Sequence, residues 1–338
     1  MILSKNFLKD YIDLDENLDI KTLAEDMTRV GNEYDLAQKM VPATKLIIGK
    51  VLECVDHPDS DHLHCCKVDI GTEVLSIVCG APNVRAGIKI ILAQVGAELP
   101  EVTIKKGNIR GQESCGMICA LYEIGLDKKY LSEEDRNGIH ILPDDAPIGK
   151  DPIEYLKLDD EIIDFDLTAN RGDLLSMLGM AYEVGAIYGN KVKELDLSHG
   201  EEGEDLNNSF EVRVNTDNCS LFLARKALNV TIKESPDFIK NRLIACGIRP
   251  INNVVDISNY VMIECGQPLH FYDADRLGNV IETRMATQGE KLTTLDEIER
   301  TLEDTDIVIS DGKRAIGLAG VMGGLDTEIE ETTKNVLI

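Results

Sequence analysis

The sequence predicts an α+β multidomain chain: a small α+β module interrupted by a β-barrel and followed by a mixed α/β domain. Three observations carry this expectation. The 338 residues exceed one typical hydrophobic core, so two or three domains are expected. The apolar period changes from helical to two near Leu46, and a helical pattern returns after residue 150. The stretch H-G-E-E-G-E-D-L-N-N-S at 199–209 has the composition of a linker.

Taken in order, Phe7, Leu8, Tyr11 and Ile12 form an apolar stripe after Ser4. Leu23, Met27 and Val30 form a second, which Gly31 closes. From Leu46, short runs such as V-L-S-I-V-C-G and I-K-I-I-L-A-Q-V are separated by turns rich in Gly, Pro, Asn and Asp. Strands at this spacing predict a barrel over residues 40–150. Residues 1–39 and 151–200 then make one discontinuous module. Its last helix is expected to open near Asn170 or Asp173, with Leu174, Leu175, Met177, Leu178, Ala181 and Val184 on one face. The final module, 205–338, holds one clear helix, with Ser235 as its cap, Pro236 in its first turn and Phe238, Ile239, Leu243 and Ile244 facing a core. The run N-V-L-I338 reads as an apolar strand left without a neighbour, which implies a fragment of a longer chain.

A formal charge of −26 excludes a wholly basic nucleic-acid binder. It leaves room for local contact through a few well-placed cations. The nine cysteines are odd in number and lie in apolar runs, the pattern of reduced thiols rather than a disulfide framework. No segment has the ~20 apolar residues of a membrane span, and the N-terminus lacks a signal-peptide pattern. A cytoplasmic protein is expected.

The densest cluster of reactive side chains is H-P-D-S-D-H-L-H-C-C at 57–66. On a strand His62, His64 and Cys66 would share one face, which opens a zinc reading. No second set of matching ligands occurs, and Pro58 favours a loop between strands. The expectation is a structured turn and no metal site.

The same stretch, with C-G-A-P-N-V-R-A-G (79–87) and I-R-G-Q-E-S-C-G-M-I-C (109–119), resembles the EMAP-like tRNA-binding domain, an OB-fold barrel. Ser60 and His62 stand where that family usually has Ala and Arg, and the second change removes a fixed positive charge. Lys105, Lys106 and Arg110 are the candidate phosphate contacts; solvated cations beside a hairpin are the plainer alternative. Further on, C-G-I-R-P-I-N-N-V-V-D-I-S-N-Y-V-M-I-E-C-G-Q-P-L-H-F-Y-D (246–273) resembles the editing domain of the bacterial phenylalanine–tRNA ligase β-subunit family. The order of motifs agrees along all 338 residues.

That resemblance implies hydrolysis of tyrosine wrongly attached to the tRNA for phenylalanine, because a pocket for phenylalanine rejects one added hydroxyl poorly. It places Arg249, Ser258, Asn259, Gly323 and Gly324 in the editing pocket and makes His270 the candidate to orient water or the terminal adenosine. The stretch G-L-A-G-V-M-G-G (317–324) lacks the Lys-Ser/Thr of a phosphate loop. The family's acidic pocket residue lies just beyond Ile338, so feeble or no deacylation is expected of these residues alone. The resemblance further implies an α subunit that activates phenylalanine with ATP and Mg²⁺ in an α₂β₂ tetramer; nothing in this chain suggests an ATP site. The competing function is a non-catalytic tRNA-binding module or a scaffold for the α subunit. R-G-D at 171–173 opens a helix expected to be buried, so no adhesive role follows.

Overall fold

A computed structural model describes residues 1–338. The chain divides into two units: Met1–Lys193 with Asn241–Arg249, and Glu194–Lys240 with Pro250–Ile338. No helix is long and apolar enough to cross a membrane.

In the first unit a three-stranded antiparallel sheet takes the order Ile2–Ser4, Glu161–Asp166, Glu33–Lys39. Segments far apart in sequence therefore share one sheet, and the residues between them build the next. Ser4 caps the helix Lys5–Leu8 through the Phe7 amide, and Asp19 caps Ile20–Arg29, which buries Leu23, Ala24 and Met27. Val30 lies past that helix and is half exposed, so it does not extend the buried stripe. Asp160 is buried here, accepting from Ser4 Oγ at 2.5 Å and from the Asn6 and Glu161 amides.

The helix expected from Asn170 or Asp173 begins instead at Met177, capped by Ser176, whose Oγ accepts from the Gly179 amide. Asp173 is unavailable as a cap because Arg171 holds it at 3.0 Å while also bonding Glu183 and Asn32. Leu175, assigned to the buried face by its spacing, is 55% exposed in the turn that precedes the helix. The R-G-D triplet is thus an ion-paired turn ahead of the helix, with Gly172 and Asp173 exposed.

The inserted sheet has the order Ile141–Leu142, Lys89–Gln94, Leu46–Asp56, His64–Asp69, Val74–Cys79, with Gly116–Ile118 also paired to Lys89–Gln94. It curls toward closure where the Cys115 amide donates to Ser76 O at 2.8 Å and the Val78 amide to Ser114 Oγ. Lys89–Gln94 is covered on both faces. Ile90 and Leu92 join one apolar cluster with Val51, Val68 and Ile77, while Ile91 and Ala93 join another with Ile48 and Cys119. Burial on both sides explains its unbroken apolar run.

The second unit has a five-stranded sheet ordered Glu211–Asn215, Val280–Met285, Ile307–Ser310, Ala315–Leu318, Met322–Gly323. Its first pair is parallel and the others antiparallel. Helix Asn253–Cys265 starts at the Asn252 cap and stops at Gly266, whose φ of 77° suits glycine. Helix Asp237–Ala245 crosses the division between the units. Ser235 does not cap it: the hydroxyl donates to buried Asp256 at 2.5 Å. Phe238, expected in a core, is 51% exposed and meets Tyr260 edge-on. The strand Val336–Leu337 is not left without a neighbour; it pairs on one side with Lys226–Ala227 and on the other with Tyr272–Asp273, fully buried at Leu337.

Candidate functional site

In the first unit, the turn after Leu46–Asp56 carries the histidine cluster. His57 is 3% exposed. Its Nδ1 accepts from the Asp59 amide at 3.0 Å, so the ring proton lies on Nε2 and is donated to Ile109 O at 3.1 Å. Arg110 donates to Asp59 O at 2.9 Å. The turn is thereby latched to the hairpin formed by Gly107–Ile109 and Gln112–Ser114. Positive φ at both Arg110 and Gly111 gives this hairpin a two-residue turn of the primed kind. His62 turns to Asp61 and His64 to Asp56, so the three histidines face separate partners.

The candidate phosphate contacts differ in availability. Lys106 is ion-paired with Glu113, which also holds that carboxyl below its ordinary range. Arg110 spends part of its guanidinium on the turn, whereas Lys105 is exposed and carries no ion pair. Lys105 borders a cleft of about 580 Å³ that includes Gly80, Pro82, Tyr122, Glu123 and Gly138. Asn83, from the C-G-A-P-N motif, pairs its amide with both N and O of Ile139, at 3.0 and 2.8 Å, and so acts as a piece of strand.

In the second unit, His270 packs against the backbone of Gly323. A methyl group built on Gly323 would overlap the imidazole, so any side chain there has to displace the ring. At Gly324 a methyl would stand 2.5 Å from Ile316 O, which accepts the Gly324 amide at 2.7 Å. The Tyr272 ring meets His270 edge-on, with centroids 4.5 Å apart. Nε2 of His270 is buried and has no hydrogen-bond partner. Burial pushes the His270 pKa down, which keeps the ring neutral and able to accept a proton.

His270, Gly323 and Gly324 therefore come together. Ser258, in the helix Asn253–Cys265, returns its hydroxyl to Val255 O at 3.0 Å, and Asn259 follows it in that helix, half-buried. Arg249 is exposed and belongs to the first unit. Tyr272 was not singled out from the sequence; the two-residue alternation of an extended segment was the available signal, placing it on the same side as His270. The stretch 317–324 forms a hairpin, with its turn at Gly320, φ 69°.

Two domain families match the chain: a tRNA binding domain over 46–151 and the B3/4 domain over 218–338. Together they define a chain of the kind that joins a tRNA-binding-type sheet to a B3/4 unit. Among curated relatives, the phenylalanine–tRNA ligase β subunit of Bacillus cereus (strain ZK / E33L) is 45% identical over 343 aligned positions, covering 100% of this chain and 42% of that protein. The β subunit of Staphylococcus aureus (strain bovine RF122 / ET3-1) is 46% identical, covering 100% of this chain and 43% of its own length. The chain belongs to the phenylalanine–tRNA ligase β-subunit family and spans about two fifths of the length of those relatives. A solved N-terminal fragment of the phenylalanyl-tRNA synthetase β subunit from Pyrococcus horikoshii is 16% identical, with a TM-score of 0.31 over 53% of this chain and 55% of that one.

Proposed function

We propose that this chain supplies an OB-fold tRNA-binding-type domain and an editing domain to a phenylalanine–tRNA ligase, the second hydrolysing tyrosyl-tRNA specific for phenylalanine. The observation that carries the reading is the His270 imidazole, seated on Gly323 with a buried ring nitrogen that nothing in the protein satisfies. Such a nitrogen is suited to bind water or a ribose hydroxyl, and its neutrality suits proton acceptance. Tyr272 fixes the ring from its edge. ATP and Mg²⁺ belong, on this reading, to a separate α subunit in an α₂β₂ assembly, and the setting is cytoplasmic.

The test uses the full-length chain with its catalytic partner and tyrosyl-tRNA for phenylalanine. His270→Ala is expected to slow deacylation by at least about tenfold, toward the 10²–10⁴ range for a positioned acid–base group, while phenylalanyl-tRNA synthesis is retained. Unchanged deacylation would remove His270 from the mechanism and favour a binding module without catalysis.

A further inference from the structure

We infer that Cys54 and Cys66 form a redox modification site, in which a hydroperoxide converts the two thiols into a cross-strand disulfide that clamps the turn at 57–63. The two cysteines are direct partners in the antiparallel pair Leu46–Asp56 and His64–Asp69. Their kind of pairing follows from the register. The His57 amide donates to Leu63 O at 2.9 Å, so 57 and 63 form a hydrogen-bonded pair. Hydrogen-bonded and open pairs alternate along such a ladder, which makes Val55–Cys65 hydrogen-bonded and Cys54–Cys66 open. Open pairs bring Cα atoms to about 4.5 Å, within the roughly 4.4–6.8 Å that a disulfide spans. The sulfurs already lie 3.7 Å apart, and small side-chain rotations close that gap to the ~2.05 Å of a bond.

The surroundings single out this pair among the nearby cysteines. Cys65 points to the opposite face of the sheet, across from Val55, so it cannot replace Cys66 without breaking the pleat. Cys79 lies on the next strand, across from His64, and its sulfur accepts from the Ala81 amide. Cys54 is partly exposed and Cys66 is 2% exposed. Burial, reinforced by the neighbouring sulfurs, raises the pKa of Cys66 and keeps it a thiol. Cys54 is thus the sulfur that meets oxidant first. Its thiolate attacks one oxygen of hydrogen peroxide; the O–O bond breaks, and the departing hydroxide takes up the proton that the Cys54 thiol released and leaves as water, giving a sulfenic acid. The Cys66 sulfur then attacks the Cys54 sulfur; the S–O bond breaks and a second water leaves with the Cys66 proton. Two thiols lose two electrons and the peroxide gains them.

The experiment treats the full-length chain with graded hydrogen peroxide, blocks free thiols with N-ethylmaleimide and digests with trypsin. Cleavage after Lys50 and Lys67 leaves Cys54, Cys65 and Cys66 on one peptide, 51–67, while Cys79 falls on 68–85. The expected result is a 51–67 peptide two hydrogens lighter that takes one maleimide, on Cys65, and takes three after dithiothreitol. Cys65→Ser should keep the bridge, and Cys66→Ser should abolish it. Three maleimides on the wild-type peptide across the peroxide series would overturn the inference, as would a bridge to 68–85 or one that survives Cys66→Ser. The wild-type arm decides without relying on any variant to fold.

Discussion

Gly323→Ala tests the packing of the candidate site most directly. Gly323 does not occupy the left-handed region, so alanine meets no backbone penalty. The cost is steric: the new methyl overlaps the His270 ring, which also packs against Tyr272. Overpacking of this kind costs about 1–3 kcal/mol, and the imidazole is expected to shift by about an ångström. A displacement of that size lowers a positioned reaction by on the order of 10²-fold. A double-mutant cycle separates this from a general effect of alanine. In a His270→Ala background the overlap vanishes, and Gly323→Ala should become neutral or stabilise by about 0.4–1 kcal/mol through the unfolded chain. Urea unfolding of the four proteins gives the cycle, and deacylation of tyrosyl-tRNA gives the functional arm. Equal destabilisation in both backgrounds would refute the contact. Full activity of Gly323→Ala would refute the claim that the seat of His270 matters.

Three further outcomes follow from the first unit and the chemistry of its charges. His57→Ala strands the Asp59 amide and Ile109 O, and should cost about 1–3 kcal/mol in thermal unfolding, with faster amide exchange at Asp59; an unchanged stability would sink the latch. Burial raises the Asp160 pKa above its ordinary 3.8. Its contribution to stability is therefore fully present below that value and lost as pH rises through the folded-state pKa. Asp160→Asn should flatten this decline in denaturation measured across pH, and an unaltered pH profile would contradict it. Lys105→Ala should weaken tRNA binding in a salt titration and reduce the salt slope by about one, whereas Glu113→Gln, which frees Lys106, should strengthen binding at low salt; no response to either change would leave this hairpin outside the RNA contact.

Elements whose order is set by local periodicity were legible in the sequence; side chains recruited by distant partners were not. The run K-I-I-L-A-Q announces a strand because both of its faces are buried. Asp173 is a sound cap by composition, yet Arg171 claims it within a network that reaches Asn32, 139 positions away. Ser235 likewise leaves its own helix for Asp256, 21 positions on. The cluster at 57–66 looked like ligand chemistry because spacing reports which residues are near, not where they point. Its first histidine, His57, is committed to Ile109 O, 52 positions away. The family pattern marked His270 and Gly323, but the reason glycine suits that position, an imidazole occupying the space of a Cβ, exists only in three dimensions.

Two histidines of this chain illustrate how hydrogen-bond accounting separates structural from functional roles. His57 is the more buried, and both of its ring nitrogens are satisfied by backbone. Deleting it should loosen a turn and nothing else. His270 is also largely enclosed, yet its Nε2 has no partner, and neither Tyr272's ring edge nor the Gly323 backbone supplies one. A buried polar atom left unsatisfied costs about 1–3 kcal/mol. A histidine kept only for packing would be replaced at a gain by an apolar ring of similar size. His270→Phe should accordingly preserve or raise stability while abolishing deacylation, whereas His57→Phe should lower stability. If His270→Phe were instead as destabilising as His57→Phe, the ring would be a structural member and its open nitrogen no indication of a ligand.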